Sequence, residues 1–468
     1  MRLTVKEIIN ATGGKFGGGD KEKEFTGISI DSRTIKTGDV FFALKGPNYD
    51  GHSFLQEVIK KGSSGAVVHR TGGKLPPPPP PGFSLISVDD TLRAIGDLAA
   101  YVRNSCGVSL LAIGGTSGKT TTKDMASLIL KKRNVLKTEG NMNNLVGLPL
   151  TLLGLTDENE TAVVELGISE EGEMSRLTEI CSPDVALLTN IGRGHLETLG
   201  SIEMVASEKG KIYNGLGPDG VRVVNLDDPW VVRVAEEAYK KGVSGERVTY
   251  SVKGSADVSL KEVRSSDVFI TDVVFDVRGT GVPVTFKAPG GVNIQNAAAA
   301  IAASLPFGVD YDEITDGLAG FTAAPGRMEV MSAVGVTLLD DTYNANPESV
   351  KAAVDTLCLA SGRKIAVLGE MLELGDDAED MHAEVGRYMA GKGASVLIAV
   401  GSFADFAVDG AIGAGMDQDL VFAYKDKKDA AIKLIELVGR GDTVLVKGSR
   451  STAMEEVATE LKKFLSVG

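Results

Sequence analysis

The residues best suited to chemistry form the glycine-rich segment GGTSGKTTT, residues 114–122. An apolar run, residues 108–113, precedes it, and KDMASLILKKR follows with apolar residues at helical spacing. A strand, a glycine-rich turn and a helix in that order let backbone N–H groups and a helix N-terminus bind phosphate. In such a loop Lys119 reaches the β- and γ-phosphates and the Thr120 hydroxyl binds the accompanying magnesium. The loop is shorter than G-x-x-x-x-G-K-T, because Ile113 stands five residues before Gly118; a chance glycine-rich turn is the alternative.

Polar residues follow two apolar runs downstream of this loop. Glu165 ends TAVVELG, and His195 lies just beyond DVALLTNIG. Parallel strands of an open α/β sheet place such residues at their carboxyl ends, where ligands bind. With Thr120 they are candidates to hold two magnesium ions near a γ-phosphate. On spacing alone, His195 is rather a satisfied loop histidine, and Lys209 an ordinary exposed helical lysine.

Length and composition favour a multidomain globular protein in a reducing compartment. The 468 residues predict about three domains, and 43% hydrophobic and 24% charged residues supply ordinary cores. A net charge of −14 argues against non-specific nucleic-acid binding. The three cysteines form no CxxC pair, so no structural zinc is expected. Without an apolar run of membrane length, we expect a cytoplasmic protein with no membrane segment.

Residues 1–106 are predicted to form a small α/β domain. LTVKEIINATGG is typical of a helix that ends at a glycine, and short apolar runs such as AVVHR and SLISV predict strands. Pro76–Pro81 predict an extended polyproline loop at the surface. Arg33 and Lys45 are suited to bind a diphosphate, and are equally typical of solvated surface charges. The polar candidates in this domain are Ser32, Arg33, Lys45 and His52.

The rest of the chain is predicted to form two further α/β domains. Residues 107–322 contain parallel-type strands, and residues 246–289 alternate like antiparallel strands, as expected for an added hairpin layer. Residues 323–468 contain five strand-like runs separated by amphipathic helices, which predicts a Rossmann-like domain. No GxGxxG follows its first strand, so a dinucleotide cofactor is not indicated.

Several motifs resemble those of Mur ligases, enzymes of bacterial cell-wall synthesis. They cover almost the whole chain in order: GGTSGKTT, TEGNMNNLVGLPLTLL, VVELGISEEGEM, NIGRGHLETLGSIEMVASEKGKIY, APGRMEV, DDTYNANPESV and VKGSRSTAME. The resemblance implies three domains that bind a UDP-sugar, bind ATP, and close over the nucleotide to receive the amino substrate. DSR, ALKGPNYDGHSF and VLGEMLELG followed by His382 imply the family activity that joins D-alanyl-D-alanine to a UDP-N-acetylmuramoyl-tripeptide through an acyl phosphate.

The resemblance also implies residue roles in the second domain. Glu165 would bridge two magnesium ions, His195 would bind the second ion, and Lys209 would match a lysine that is carbamylated into a metal-binding carboxylate. Asn141 and Asn144 of the asparagine-rich segment would contact substrate. The phosphate loop would comprise Gly115, Thr116, Ser117, Gly118, Lys119, Thr120 and Thr121.

Further roles fall at the boundary with the third domain and beyond. Arg327 would contact nucleotide phosphate and Asp341 the ribose. Val292 stands where these enzymes often carry a histidine, which leaves Asn293 and Asn296 as weaker candidates for nucleobase contact. The nucleotide would be surrounded by Tyr343, Asn344 and Asn346, and the third domain's side of the cleft shaped by Lys447, Ser449 and Arg450.

Other readings remain open at this point. A ligase of the same superfamily adds a single amino acid to a UDP-muramoyl peptide, or glutamate to folate; a folate-type ligase has no reason to carry DSR and KGPNYDGHSF. A nucleotide-switch protein that hydrolyses ATP to change conformation would need no histidine and acidic residue around a second metal. The sequence does not say whether the tripeptide's third residue is diaminopimelate or lysine. We expect a monomer, although no motif reports the oligomeric state.

Overall fold

The N-terminal part of the chain folds around a five-stranded sheet. The computed structural model describes residues 2–46, 49–70 and 79–467, so Pro76–Pro78 of the predicted polyproline loop lie outside the described residues. The strand order is β2-β7-β6-β5-β4, with β4 to β7 parallel and β2 antiparallel at the edge, while β1 and β3 pair separately. The elements are β1 Leu3–Thr4, α1 Val5–Thr12, β2 Lys15–Gly18, β3 Glu24–Phe25, β4 Gly27–Ser29, β5 Asp39–Phe42, α2 Leu55–Lys60, β6 Gly65–His69, β7 Ser84–Val88 and α3 Thr91–Ser105.

The helix predicted at the N-terminus is confirmed, and local chemistry sets both of its ends. Thr4 and Glu7 form a capping box at the start of α1. Gly13 follows the helix at φ 62°, the left-handed conformation in which glycine avoids the cost that a side chain imposes.

The central part folds around a nine-stranded sheet of order β16-β15-β14-β13-β12-β11-β8-β10-β9. All neighbouring pairs from β9 to β14 across this sheet are parallel. The strands are β8 Ser109–Gly114, β9 Val135–Lys137, β10 Thr161–Glu165, β11 Val185–Leu188, β12 Val221–Asn225, β13 Arg247–Ser251, β14 Val258–Ser266, β15 Thr271–Val277 and β16 Thr280–Phe286. The helices are α4 Lys119–Ile129, α5 Gly147–Leu152, α6 Glu173–Cys181, α7 Leu196–Leu199, α8 Ile202–Asn214, α9 Pro229–Lys240, α10 Val292–Ser304 and α11 Tyr311–Ala319.

Part of the prediction for residues 246–289 is wrong. The run RVTYS forms β13, which pairs in parallel with β12, and β14 pairs in parallel with β13. Only the β14–β15 and β15–β16 pairs are antiparallel, and they extend the same sheet rather than adding a separate layer. The alternation of apolar and polar residues predicts a strand but does not report its direction, and in β13 the polar Thr249 and Ser251 are buried as well.

The C-terminal part folds around a six-stranded sheet of order β17-β18-β22-β19-β20-β21. The five strand-like runs predicted there are β18 to β22, all parallel, and β17 is an antiparallel edge strand that the sequence reading missed. The elements are β17 Glu329–Ala333, β18 Val336–Asp341, α12 Pro347–Leu357, β19 Lys364–Leu368, α13 Ala378–Gly391, β20 Val396–Val400, α14 Ala404–Gly413, β21 Val421–Tyr424, α15 Lys427–Leu437, β22 Thr443–Lys447 and α16 Glu455–Val467.

The first two units share an apolar core, whereas the C-terminal unit has its own. One buried apolar cluster runs from the N-terminal sheet through α3 into α5, α6 and α8, so the first two units share a core. The C-terminal sheet has its own clusters on its two faces, and Val268 from the β14–β15 turn is buried in one of them. Among the described residues, no helix combines the length and the apolarity needed to cross a bilayer. The domain boundaries at residues 106/107 and 322/323 stay predictions.

Candidate active site

The glycine-rich loop occupies the strand–turn–helix position that its sequence predicts. It connects β8 to α4, with Gly115 at φ 139° and Gly118 at φ 77° as the N-cap of α4. A Cβ on Gly115 would lie 2.0 Å from Oγ1 of Thr189, and one on Gly118 would lie 2.4 Å from Oδ1 of Asn296. Both positions therefore require glycine for conformation and for space. The helix directs its free N–H groups and its positive end toward the loop.

The segment that follows β11 stabilises the loop through hydrogen bonds. Asn190 accepts the Ser117 N–H at 3.0 Å through its side-chain oxygen, and its main-chain carbonyl accepts the Thr116 N–H at 3.0 Å. Thr189 donates its hydroxyl to the Ser117 carbonyl at 2.6 Å. These bonds fix the loop in a conformation suited to bind an anion, so the loop is preorganised.

Positive charge collects around this loop. Lys119 donates to the carbonyls of Gly115 and Thr116, at 2.9 and 3.2 Å. Removal from solvent lowers its pKa, and the nearby charge of Arg327 lowers it further. Lys209 on α8 is 2% exposed and donates to the same Gly115 carbonyl at 3.3 Å. Its burial, and then the charge of Lys119, lower the pKa of Lys209 to about 7.

Two oxygen donors meet beside the loop. The Thr120 hydroxyl donates to Oε2 of Glu165 at 2.6 Å, and both side chains are buried. Asn143 donates to the other carboxylate oxygen at 2.7 Å. Asn143 was not among the residues predicted from the sequence. Asn144 accepts backbone N–H groups at the start of α5 and Asn141 is exposed, and their assignment to substrate contact stays a prediction.

The residues present fit a magnesium ion. Thr120 and Glu165 offer the hard oxygen ligands that magnesium prefers, and magnesium usually takes one or two protein carboxylates together with phosphate and water oxygens. No group of three or more His, Cys, Asp and Glu side chains that could hold a metal occurs within the described ranges. Substrate oxygens would therefore supply much of the coordination.

His195 lies where the central and C-terminal sheets meet. It is the N-cap of α7, at φ 61°, and its Nδ1 lies 2.6 Å from Oε2 of Glu373. The polar contacts of the described residues do not join it to Glu165 or Thr120. Its assignment to a second magnesium ion stays a prediction.

The predicted residues of the C-terminal part form one connected group. The Arg327 guanidinium stacks on the Tyr343 ring at 3.7 Å, and that of Arg450 lies 5.8 Å from the same ring. Lys447 is 2% exposed and bonds Asp341 at 2.6 Å and the Asn344 carbonyl at 2.8 Å. Burial raises the pKa of Asp341 against the opposing effect of Lys447.

The other predicted residues of this region have structural contacts. Asn346 caps α12 by accepting the Ser349 N–H at 2.8 Å, and Ser449 accepts the Leu372 N–H at 2.9 Å. Asn296 donates to Asn293 at 3.3 Å and accepts the Thr122 hydroxyl at 3.4 Å, behind α4. Thr121 is half-buried in the first turn of α4.

The N-terminal candidates do not converge on one another through polar contacts. Arg33 is exposed and paired with Asp31 at 2.7 Å, and the Ser32 carbonyl accepts Lys61. His52 contacts Asp50 through Nδ1 at 2.6 Å and accepts the His69 N–H through Nε2 at 2.9 Å. Lys45 is exposed. Their assignment to substrate binding stays a prediction.

Arg193 connects the central unit to the C-terminal unit, and the sequence reading missed it. Its guanidinium donates to Glu348 of α12 at 2.8 Å and to Glu384 of α13 at 3.0 Å. Lys351 also contacts Glu384. The hydrogen bond from Arg193 lowers the pKa of Glu384 to about 2, so this carboxylate stays ionised at neutral pH. The local sequence NIGRGH is typical of an ordinary loop, so the contacts of Arg193 become visible only in the folded structure.

Comparison with known proteins decides the family. Three family models match in chain order: the Mur ligase family catalytic domain at residues 24–103, the Mur ligase middle domain at 113–304, and the Mur ligase glutamate ligase domain at 326–450. The UDP-N-acetylmuramoyl-tripeptide–D-alanyl-D-alanine ligases of Bacillus subtilis and Escherichia coli are each 35% identical, over 98% and 99% of this chain and the same shares of those proteins. The chain belongs to the Mur ligase family.

Solved structures agree over the same length. A crystal structure of MurF from Acinetobacter baumannii matches with a TM-score of 0.90 and 32% identity, covering 99% of each chain. MurF ligase from Thermotoga maritima in complex with ADP matches with a TM-score of 0.82 and 28% identity, over 94% of this chain and 98% of that one. The predicted α/β, three-domain Mur ligase architecture is confirmed.

The first test of this site replaces Lys119. We expect Lys119→Ala to lower turnover by at least about 100-fold, because losing one preorganised charge contact to a transferring group costs on the order of 3 kcal/mol. The melting temperature should stay unchanged or rise, since a cation leaves a crowded positive cluster. Lys132→Ala, an exposed lysine just beyond α4, is the matched control. Near-normal turnover in a folded Lys119→Ala protein would contradict a role for this loop.

The second test concerns closure of the C-terminal unit. We expect Arg193→Gln to lower kcat/KM about tenfold and to increase the radius of gyration in the presence of nucleotide, because the bonds to Glu348 and Glu384 are lost. Small-angle scattering and steady-state rates are the measurements. Arg233→Gln is the control, since the partners of Arg233 among the described residues, Glu237 and the Trp230 ring, lie on its own helix. Unchanged scattering and rates would show that these bonds do not hold the units together.

Proposed function

We propose that this Mur ligase joins D-alanyl-D-alanine to a UDP-N-acetylmuramoyl-tripeptide at the expense of ATP. The observation that carries the proposal is the full-length match to relatives of that name, at 35% identity over 98% or more of both chains. A folylpolyglutamate synthase from Thermotoga maritima shares the fold alone, with 17% identity and a TM-score of 0.54.

The chemistry proceeds by two displacements. A carboxylate oxygen of the tripeptide attacks the γ-phosphorus of ATP, the bond to the β-phosphate oxygen breaks, and ADP leaves. The dipeptide amine then attacks the acyl carbon, the amide bond forms, phosphate leaves, and the amine proton passes to solvent. Magnesium, when bound, neutralises phosphate charge and aligns the reacting oxygens.

The chain's own residues supply position and charge for these steps. The loop Gly115–Gly118 and the start of α4 bind phosphate oxygens, and Lys119 leaves its carbonyl partners to neutralise the transferring group. Thr120 and Glu165, the latter oriented by Asn143, would hold the ion. Arg327 lies close enough to perturb Lys119 and would meet the same phosphates when the C-terminal unit closes.

We place the dipeptide in a cavity of the C-terminal unit. It has a volume of about 370 Å³ and lies beyond the carboxyl ends of β19, β20 and β21, where open α/β sheets bind ligands. Its wall includes Glu370 and Leu372, next to Glu373, which contacts His195 of the central unit. Lys427 in the wall is paired with Glu456 at 2.8 Å, whereas Lys425 has no carboxylate at ion-pair distance among the described residues. Lys425 is thus the cation available to the dipeptide's terminal carboxylate.

The activity is tested by measuring ADP release with each substrate present and omitted. We expect ADP release only when ATP, the UDP-tripeptide and D-alanyl-D-alanine are all present. The product should be the UDP-tripeptide extended by the two residues of the dipeptide. Single amino acids and folate with glutamate serve as competing substrates. Turnover with a single amino acid, or ADP release without any acceptor, would reject the proposal. UDP-tripeptides carrying diaminopimelate or lysine identify the third residue.

The dipeptide site is tested through Lys425. We expect Lys425→Met to raise KM for D-alanyl-D-alanine about tenfold, which corresponds to a charge-assisted hydrogen bond of about 1.4 kcal/mol. KM for ATP and for the UDP-tripeptide should stay within about twofold. Lys428→Met, three residues on and exposed, is the matched control. An unchanged KM for the dipeptide would remove Lys425 from recognition.

We also propose that Lys209 is carbamylated and serves as an anionic ligand. Its pKa of about 7 makes half of the amine neutral at pH 7, and only the neutral amine adds carbon dioxide. Because the folded-state pKa lies below the ordinary value of 10.5, the neutral form is lost as the pH falls through 7. The product anion would relieve the crowding of Lys209 against Lys119.

The expected result is a dependence of activity on carbon dioxide. Depleting bicarbonate should lower turnover at pH 6 far more than at pH 8, and ¹³C-bicarbonate should give a carbamate signal that Lys209→Ala abolishes. Short-chain carboxylates should restore part of the activity of Lys209→Ala by replacing the missing anion. Full activity of Lys209→Ala, or no carbamate signal in the wild type, would contradict the proposal. Lys211→Ala, two residues on in the same helix, is the control.

A further inference from the structure

Lys123 is a lysine that the phosphate-loop helix carries into the protein interior. It lies one turn beyond Lys119 and Thr120 on α4 and is 2% exposed. A charged group is rarely buried so deeply without a partner that requires it. Its Nζ donates to the main-chain carbonyl of Thr138 at 2.7 Å and lies 3.4 Å from Oδ1 of Asp124.

Thr138 is itself joined to the strand that ends in Glu165. It is fully buried, follows β9, and its N–H donates to the Val163 carbonyl of β10 at 3.1 Å. Its hydroxyl accepts the Glu165 N–H at 3.0 Å. Lys123 therefore contacts a residue that hydrogen-bonds the main chain of Glu165.

The segment that starts at Thr138 also reaches the Glu165 carboxylate. Five residues on, Asn143 donates to Oε1 of Glu165 at 2.7 Å, and the Asn143 carbonyl accepts the Gly167 N–H at 2.8 Å. A Cβ on Gly167 would lie 2.8 Å from the Asn143 side chain, so the segment packs closely on the residues after β10. Residues 138–143 are thus held at both ends against Glu165.

These contacts close a ring. Lys123 of α4 bonds Thr138, Thr138 bonds Glu165, and Glu165 bonds Thr120, which is again on α4. We propose that Lys123 is a positioning residue: by tying the Thr138 carbonyl to α4, it fixes residues 138–143 and thereby the direction of the Glu165 carboxylate toward the Thr120 hydroxyl. The inference rests on the proposed function in one respect, that Thr120 and Glu165 face the metal–nucleotide.

The chain offers a matched control for the charge. Lys137 contacts the same Asp124 oxygen at 3.0 Å, but it lies on β9, is more than one-third exposed, and donates to no carbonyl of residues 138–143. Replacing Lys137 by methionine removes an equal charge and the same type of ion pair. It leaves the Lys123–Thr138 bond in place.

The test compares Lys123→Met, Thr138→Val and Lys137→Met in the full-length protein. We expect the first two to lower kcat by about 10- to 100-fold with KM for ATP within about threefold, because a small displacement of a positioned group costs rate more than ground-state binding. Thr138→Val keeps Lys123 and removes only the hydroxyl that accepts the Glu165 N–H. Lys137→Met should keep kcat within about twofold.

Two readouts do not depend on ligation. Amide hydrogen exchange should become faster in residues 138–147 and 163–168 of Lys123→Met, and in neither segment of Lys137→Met. Calorimetry of ADP binding with and without magnesium should show that the magnesium-dependent gain in affinity shrinks at least about threefold in Lys123→Met and Thr138→Val.

The outcomes separate this inference from the proposed function. Wild-type kcat, exchange and magnesium dependence in either of the first two variants would overturn the positioning role. Equal effects in Lys137→Met, or an effect confined to the melting temperature, would also overturn it and leave Lys123 as a stabilising residue. If Lys123→Met does not fold, Thr138→Val decides alone. Absence of dipeptide ligation by the wild type would reject the proposed function, while exchange and ADP binding would still report on Lys123.

Discussion

The crowding of positive charge around the Gly115–Gly118 loop is the constraint on which the rest of the site depends. The chain has a net charge of −14, yet burial and the charge of Arg327 lower the pKa of Lys119, and burial and the charge of Lys119 lower that of Lys209. The electrostatic free energy of such a cluster of like charges is unfavourable by itself and becomes favourable only when an anion of comparable charge is bound. Lys119 and Lys209 both donate to the Gly115 carbonyl of the loop. We expect a bound nucleotide to supply the counter-charge of this site.

The loop glycines and the segment that follows β11 make this cluster of positive charges possible. Gly115 allows the main chain to pass over Thr189 at a distance that no Cβ would tolerate, and Asn190 fixes the N–H of Ser117. The Glu165 carboxylate is fixed separately, through Asn143 and Thr138 on the neighbouring strand connection. Because Lys119 and Thr120 follow β8 whereas Glu165 ends β10, their spacing from the carboxylate is set by the strand pairing of β8 and β10.

Local sequence signals predicted most of this, and their failures have physical causes. The loop, its helix and the parallel strands were predictable because glycine spacing, apolar runs and helix periodicity act over a few residues. The direction of β13 was not, since it depends on the crossover through α9 that joins β12 to β13. Asn143 and Arg193 could not be selected from sequence, because only the folded chain decides which asparagine of NMNN faces Glu165 and which loop arginine faces α12. The roles given to Ser32, Arg33, Lys45 and His52 depend on a substrate and stay predictions.

The two interdomain connections differ in strength, and the difference fits the chemistry. The N-terminal and central units share one apolar cluster, and separating them would expose buried surface at roughly 25 cal/mol per Å². The central and C-terminal units meet through half-exposed pairs such as Arg193 with Glu348 and Glu384, which are worth about 0–1 kcal/mol each, and through apolar side chains that include the buried Val268 and the partly buried Leu196. A reaction that must admit three substrates and exclude water before phosphoryl transfer needs one side of its active site to stay fixed and the other to open. We expect the shared core to hold the first side in place and the weak pairs to let the C-terminal unit move.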